Sequence, residues 1–313
     1  MNAQAPALSF SSSLLTGAEW NDAHVRELFH LATDVKAHPD RYHGALAGRF
    51  LAMIFEKPSL RTRVTFEIGI ASLGGTAIFL DHANARLGER ESIADVGRSL
   101  SRWVQGIVAR VFSQEALETL AAHASVPVIN ALSDLYHPCQ ALADFFTLEE
   151  KFGSARGVKL AYIGDGNNVC HSLMIAGARV GAHVRIATPA GYEPNAKVVE
   201  AARRDAAATL GTIELFRAPE QAVSGAQAVY TDVWASMGQE SEAEARAAIF
   251  APYQVNAALM SHSAPDAIFL HCLPAHRGSE VTSEVMDSPR SIVFEQTENR
   301  LHVQKAILLM LLS

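Results

Sequence analysis

Only three cysteines occur in 313 residues, Cys139, Cys170 and Cys272, and no two of them form a C-x-x-C pair. So small and widely spaced a set offers no metal-knuckle pattern and points to reduced thiols in the cytoplasm. Basic residues are also short: 26 Lys+Arg stand against 33 Asp+Glu, a net charge of −7, with no basic block or Arg-rich tail. That balance argues against nucleic acid as the main partner. Long apolar runs are missing too. The longest, Ala306 to Leu312, falls far short of the roughly 20 residues that cross a bilayer, so no membrane association is expected. The first 17 residues lack a basic start, an apolar core and a cleavage site, and no signal peptide is expected. There is no internal repeat and no low-complexity tract. The expectation is a soluble, cytoplasmic protein of two domains of about 150 residues each.

What is present is an alternation of short apolar runs with longer helix-period segments. Strands are expected at 51–55, 76–80, 106–111 and 126–129, with helices over 60–72, 114–123 and 138–152. After the polar break at 153–157 the pattern restarts: strands at 158–163, 183–188, 228–231 and 267–270, a helix over 168–180, and a last helix over 298–312. The segment 236–246 reads as a mobile loop leading into a helix. The fold class is α/β: two doubly wound parallel-sheet domains in tandem, with the C-terminal helix returning to the first domain. The domains are expected at 1–147 with 298–313, and at 148–297.

Candidate chemistry gathers where strands end. Ser59, after Phe55-Glu56-Lys57-Pro58, sits at a helix N-cap position. The N–H groups of Leu60, Arg61 and Thr62 beside a guanidinium make an anion site, although a capped helix with exposed arginines fits the same residues. Arg110 closes the third strand. At His137-Pro138-Cys139-Gln140, proline in the first turn makes His137 the cap and places Gln140 one turn in, an imidazole and an amide both able to donate to one oxygen. Ile163-Gly164-Asp165-Gly166-Asn167-Asn168-Val169 lacks the third glycine of a dinucleotide fingerprint; Asn168 at the helix start can instead meet a carboxylate. Asp232, before Ser236-Met237-Gly238, suits an ammonium group or a plain helix cap. His271-Cys272-Leu273-Pro274 raises zinc, but neighbours on a strand point to opposite faces, which favours a metal-free thiol near the reacting atoms.

Taken in order, Ser59-Leu60-Arg61-Thr62-Arg63 (S-T-R-T-R in the family), His137-Pro138-Cys139-Gln140 (H-P-x-Q), Asp232 to Gly238 (D-x-x-x-S-M-G) and His271 to Pro274 (H-C-L-P) resemble the aspartate/ornithine transcarbamoylase family, in its ornithine branch. The likeness runs from about Phe55 to Arg300. It implies transfer of the carbamoyl group of carbamoyl phosphate to the side-chain amine of L-ornithine, giving L-citrulline and phosphate, without metal or cofactor. It implies that Ser59, Leu60, Arg61 and Thr62 hold the phosphate, and that Arg110, His137 and Gln140 surround the carbamoyl group. Arg86, Cys272, Leu273 and Arg300 complete that ligand's contacts. Asn168, Asp232, Ser236 and Met237 are implied for ornithine, and Arg110, His137, Asp232 and Cys272 for catalysis. A homotrimer with active sites between subunits is also implied. Two positions depart from the pattern: Leu60 replaces a threonine, and Arg86 stands where a glutamine is common, in a loop that reaches a neighbouring subunit. Competing readings are a transcarbamoylase for another amine (N-acetylornithine, putrescine or aspartate), a nicotinamide-dependent oxidoreductase and a non-catalytic binding protein.

Overall fold

A computed structural model describes residues 13–81, 86–235 and 242–313. The chain forms two compact units, one built from residues up to Asp134 with Leu301–Ser313, the other from Leu135–Arg300.

The first unit runs α1 (Asp22–Ala37), β1 (Phe50–Phe55), α2 (Leu60–Ser72), β2 (Thr76–Asp81), α3 (Ile93–Leu100), β3 (Gly106–Arg110), α4 (Gln114–His123) and β4 (Val128–Leu132). Its four strands are all parallel, in the order β2-β1-β3-β4. Every residue of β3 is buried, as a strand covered on both faces requires. Ala52, Ile54, Ile107, Ala109, Leu117 and Leu120 form one core cluster. The chain leaves β1 to one side for β2 and returns on the other for β3. The switch point therefore lies between β1 and β3, whose last residues, Phe55 and Arg110, are in register.

The second unit runs α5 (Pro138–Phe152), β5 (Lys159–Ile163), α6 (Asn168–Val180), β6 (His183–Ala187), α7 (Ala196–Thr209), β7 (Thr212–Phe216), α8 (Pro219–Val223), β8 (Ala228–Thr231), α9 (Ala243–Phe250), α10 (Ala257–Met260), β9 (Ile268–His271) and α11 (Ser283–Met286). The last helix, α12 (Val293–Leu312), starts in this unit and ends in the first. The sheet is again parallel, in the order β7-β6-β5-β8-β9. Its switch point lies between β5 and β8, where Ile163 pairs with Thr231. Val229, Phe250, Phe269 and Val285 are part of its core cluster.

Helices over 60–72, 114–123, 138–152 and 168–180 have the ends expected from sequence. The fourth strand begins two residues later than expected, after Pro127, and runs on through Asn130. The buried Asn130 amide donates to the Leu15 carbonyl at 2.7 Å, which lets a polar residue sit inside the strand. The last helix begins five residues before its expected start. Its first turn carries the exposed Phe294, which breaks the apolar period.

Candidate active site

In the first unit, the Ser59 side chain caps α2 and accepts from the Thr62 N–H at 3.4 Å. The opening N–H groups of the helix have no intrahelical acceptor and carry its positive pole. Thr62 is buried, Arg61 half-buried and Leu60 exposed. Arg63 faces elsewhere: its Nε donates to Glu67 at 2.9 Å and its guanidinium lies 3.7 Å from the centre of the Phe79 ring.

Glu56 ties this turn to its neighbours. Its backbone N–H donates to the Arg110 carbonyl at 2.9 Å. Its buried carboxylate accepts from the Leu87 N–H at 2.6 Å and the Phe112 N–H at 2.7 Å. Above the Phe112 ring lie the Lys57 ammonium at 4.1 Å and the Arg86 guanidinium at 4.3 Å. Burial lowers the pKa of Lys57, and the nearby charge of Arg110 lowers it further. Lys57, Arg86 and Arg110 thus build positive potential at the switch point, a field suited to a doubly charged phosphate.

In the second unit, His137 occupies the N-cap of α5, with Pro138 next, as expected, but its side chain makes no capping bond. The His137 N–H donates instead to Ser172 Oγ at 2.7 Å. One N–H of the Gln140 amide donates to Asp144 Oδ1 at 2.8 Å, and the amide carries a second N–H besides. Asp144 is fully buried, and desolvation pushes its pKa up to about 6 against the pull of Gln296, Gln140, Tyr230 and Arg300.

At the second switch point Asp232 caps none of the helices among the described residues and acts as a hub. Its Oδ2 accepts from Asn167 Nδ2 at 2.9 Å. Its Oδ1 accepts from the Cys272 thiol at 3.0 Å and from the Val233 N–H at 2.8 Å. Burial and the adjoining Asp232 charge push the Cys272 thiol well above its usual range, which keeps it a proton donor rather than a thiolate. Asn168, the expected carboxylate partner, begins α6, with its own Oδ1 2.9 Å from the Val169 N–H. The turn before it depends on glycine. A Cβ on Gly166 would lie 2.2 Å from Pro194 N, so this glycine serves close backbone packing and needs no dinucleotide to explain it. Arg246 binds Asp165 at 2.8 Å, the Trp234 carbonyl at 3.0 Å and Glu242 at 3.0 Å. Ser236 and Met237, the remaining ornithine candidates, lie outside the described residues.

The expected separation of His271 from Cys272 does not hold. Asp232, His271 and Cys272 each place a ligand-type atom within 4.8 Å of the others. The reason is that β9 ends at His271, and Leu273 turns with φ +60°, so strand alternation stops between the two residues. Both ring nitrogens of His271 have neighbours: Nδ1 accepts from the Leu273 N–H at 2.8 Å, and Nε2 lies 3.3 Å from Glu280. A cation here would have to compete with those contacts. Arg300 is buried on α12.

Comparison with known proteins adds to this geometry. Residues 12–150 match the carbamoyl-P binding domain of aspartate/ornithine carbamoyltransferase, and residues 156–311 match its Asp/Orn binding domain. The chain belongs to the aspartate/ornithine carbamoyltransferase family. It is 59% identical to the ornithine carbamoyltransferase of Thermococcus kodakarensis over 85% of this chain and 84% of that one. It is 58% identical to a Pyrococcus furiosus protein named "Ornithine carbamoyltransferase, anabolic", over 85% of this chain and 84% of its relative. The solved ornithine carbamoyltransferase of Pyrococcus furiosus superposes with a TM-score of 0.94 at 51% identity, covering 98% of this chain and 99% of that one.

Within this family chain the motif residues fall into two groups. Ser59, Leu60, Arg61, Thr62, Arg86 and Arg110 belong to the first unit; His137, Gln140, Asn168, Asp232, Cys272, Leu273 and Arg300 belong to the second. Sequence reasoning passed over Glu56, Lys57, Asp144, Asn167 and Gln296. Glu56 and Lys57 adjoin Ser59, and a charged pair between an apolar strand and a helix cap was the available signal. Asp144 and Gln296 carried none, because only the fold brings them together.

Proposed function

We propose that this protein transfers the carbamoyl group of carbamoyl phosphate to the side-chain amine of L-ornithine, giving L-citrulline and phosphate. The observation that carries this is the carboxylate hub of the second unit, Asp232 held by Asn167 and Cys272. Ser59, the Leu60 backbone, Arg61, Thr62 and Arg86 bind the phosphate, and Arg110, His137, Gln140, Leu273 and Arg300 complete the carbamoyl phosphate contacts. Asn168, Asp232, Ser236 and Met237 hold ornithine. An anionic hub suits an amine acceptor and opposes aspartate. The functional domains are 1–147 with 298–313 for carbamoyl phosphate and 148–297 for ornithine; family matches that part between residues 150 and 156 support the break, and the grouping of Leu301–Ser313 with the first unit supports the return of the last helix.

In the reaction the amine nitrogen bonds to the carbamoyl carbon, the carbon–oxygen bond to phosphate breaks, and the proton lost by the amine leaves with phosphate or solvent. An alkyl amine has a pKa of roughly 10.4, so desolvation must favour its neutral form before attack. The Cys272 thiol and Asp232 orient that amine. As the tetrahedral carbon forms, Thr62, Arg110 and His137 stabilise its oxygen. Leaving phosphate is held by Arg61 and the pole of α2. The expected result is rapid formation of citrulline and phosphate with ornithine, and none with N-acetylornithine, putrescine or aspartate. Turnover with another amine alone would overturn the acceptor assignment, and no turnover with any would overturn the enzyme reading.

The role is arginine biosynthesis in the cytoplasm, supported by the word "anabolic" in the Pyrococcus furiosus relative's name and by three unbridged cysteines. Among the described residues no helix is long and apolar enough to cross a membrane. The working form is a homotrimer with active sites completed across subunits. Support comes from α2, where Leu60, Val64 and Ile68, four residues apart on one face, are 73%, 39% and 49% exposed. Ile68→Glu is expected to convert a species of about three 33.7 kDa chains into monomers in sedimentation, with activity lost. A wild-type monomer of full activity would refute this.

A further inference from the structure

The hydrogen bonds around Gln140 run in one forced direction. The His271 N–H, at the end of β9, can only donate, and it donates to Gln296 Oε1 at 2.9 Å. That fixes the Gln296 amide with its nitrogen outward, and the nitrogen donates to Asp144 Oδ1 at 2.7 Å. An ionised carboxylate can only accept, so the second amide beside it, Gln140, must also present its nitrogen, at 2.8 Å. Gln140 is then left showing its carbonyl. Its Oε1 is buried and has no hydrogen-bond partner among the described residues. A buried amide oxygen without a donor costs free energy until a ligand N–H meets it.

We infer that Asp144 is a positioning residue for the carbamoyl group: it holds the Gln140 amide with Oε1 as an acceptor for the carbamoyl –NH2, in an orientation relayed from the His271 backbone through Gln296. This rests on the reading that Gln140 belongs to the carbamoyl phosphate site. The relay makes the site select –NH2 over a group of the same size that cannot donate, and it works while Asp144 is ionised. Protonated Asp144 can donate to Gln140 Oε1 and let the amide turn. The groups facing Asp144 are Gln140 on α5, Tyr230 on β8, Gln296 and Arg300 on α12, and Cys272 after β9. Burial outweighs the Arg300 charge and brings Asp144 to about 6, so the turn falls just below neutrality.

The test compares two inhibitors competing with carbamoyl phosphate, phosphonoacetamide (–NH2) and acetonylphosphonate (–CH3 in its place). The intact enzyme should bind the amide about tenfold tighter, the worth of one hydrogen bond. In Asp144→Ala that ratio should fall close to one while binding of the methyl ketone changes less than about twofold. Gln140→Ala should show the same collapse, and the double variant no further change. Equal weakening of both inhibitors in Asp144→Ala would mean a merely structural role and overturn the inference. An unchanged ratio in Gln140→Ala would instead remove the underlying reading of Gln140. Asp144→Asn keeps the shape and both accepted bonds, and guards against a misfolded alanine variant. The wild-type ratio should decline as pH falls through about 6, and in Asp144→Asn it should stay flat. The two phosphonates titrate together, so their ratio cancels that effect. A pH step that persists in the asparagine variant would also overturn the inference.

Discussion

Arg110→Ala is expected to reduce kcat about 10²- to 10³-fold, the usual cost of one donor to a developing oxyanion, some 3–4 kcal/mol. The position explains the size. Arg110 is the last residue of a wholly buried strand, and its carbonyl is clamped by the Glu56 N–H, so its side chain leaves from fixed backbone. Donors that need no reorganisation act most strongly as charge develops. Arg110→Lys should recover little, because an ammonium lacks the planar fork of guanidinium. Steady-state citrulline formation checks this, with the thermal transition measured alongside. Turnover within threefold of wild type in a folded Arg110→Ala would remove the residue from the mechanism.

Asp232→Ala should act on the other substrate. It removes a buried carboxylate that accepts from Asn167, Cys272 and Val233, and leaves those donors facing an apolar gap. A hydrogen bond to a charged group is worth about 1.5–3 kcal/mol, so loss of the carboxylate that meets the acceptor should lower kcat/KM for ornithine about 10- to 10²-fold. Carbamoyl phosphate binding, measured by calorimetry without ornithine, should change by less than about threefold, since a phosphate site has no use for this anion. Equal losses toward both substrates would show that Asp232 supports the fold and not the acceptor.

The fold was legible where the sequence carried two signals at once. Ser59 before Leu60 announced a helix start just after a strand, Pro138 after His137 announced another helix start, and α2 and α5 have the expected limits. Helix α7 was missed because its buried face is Val198, Val199, Ala202 and Ala206, small residues with weak contrast to their surroundings. Strand β7 lies at the sheet edge and buries only Ile213 fully, so its apolar residues Ile213, Leu215 and Phe216 give no clean inward face. In the site, residues that announce themselves by motif were found, and those acting through them were not. Asp144 lies 152 residues from Gln296, and no local pattern links them. His271 and Cys272 misled for a local reason, a strand that stops between them.

The division of α12 between the units has a consequence for synthesis. The first unit is not a continuous stretch of chain: Leu308, Leu309 and Leu312 are buried, and Gly106 has no Cβ because Leu312 Cδ2 would lie 2.8 Å from it. Domains made early usually fold while the ribosome is still at work. Here the unit that is translated first receives its final core residues last, after the whole second unit has been made. Its core therefore stays incomplete while every strand of the second sheet is being made.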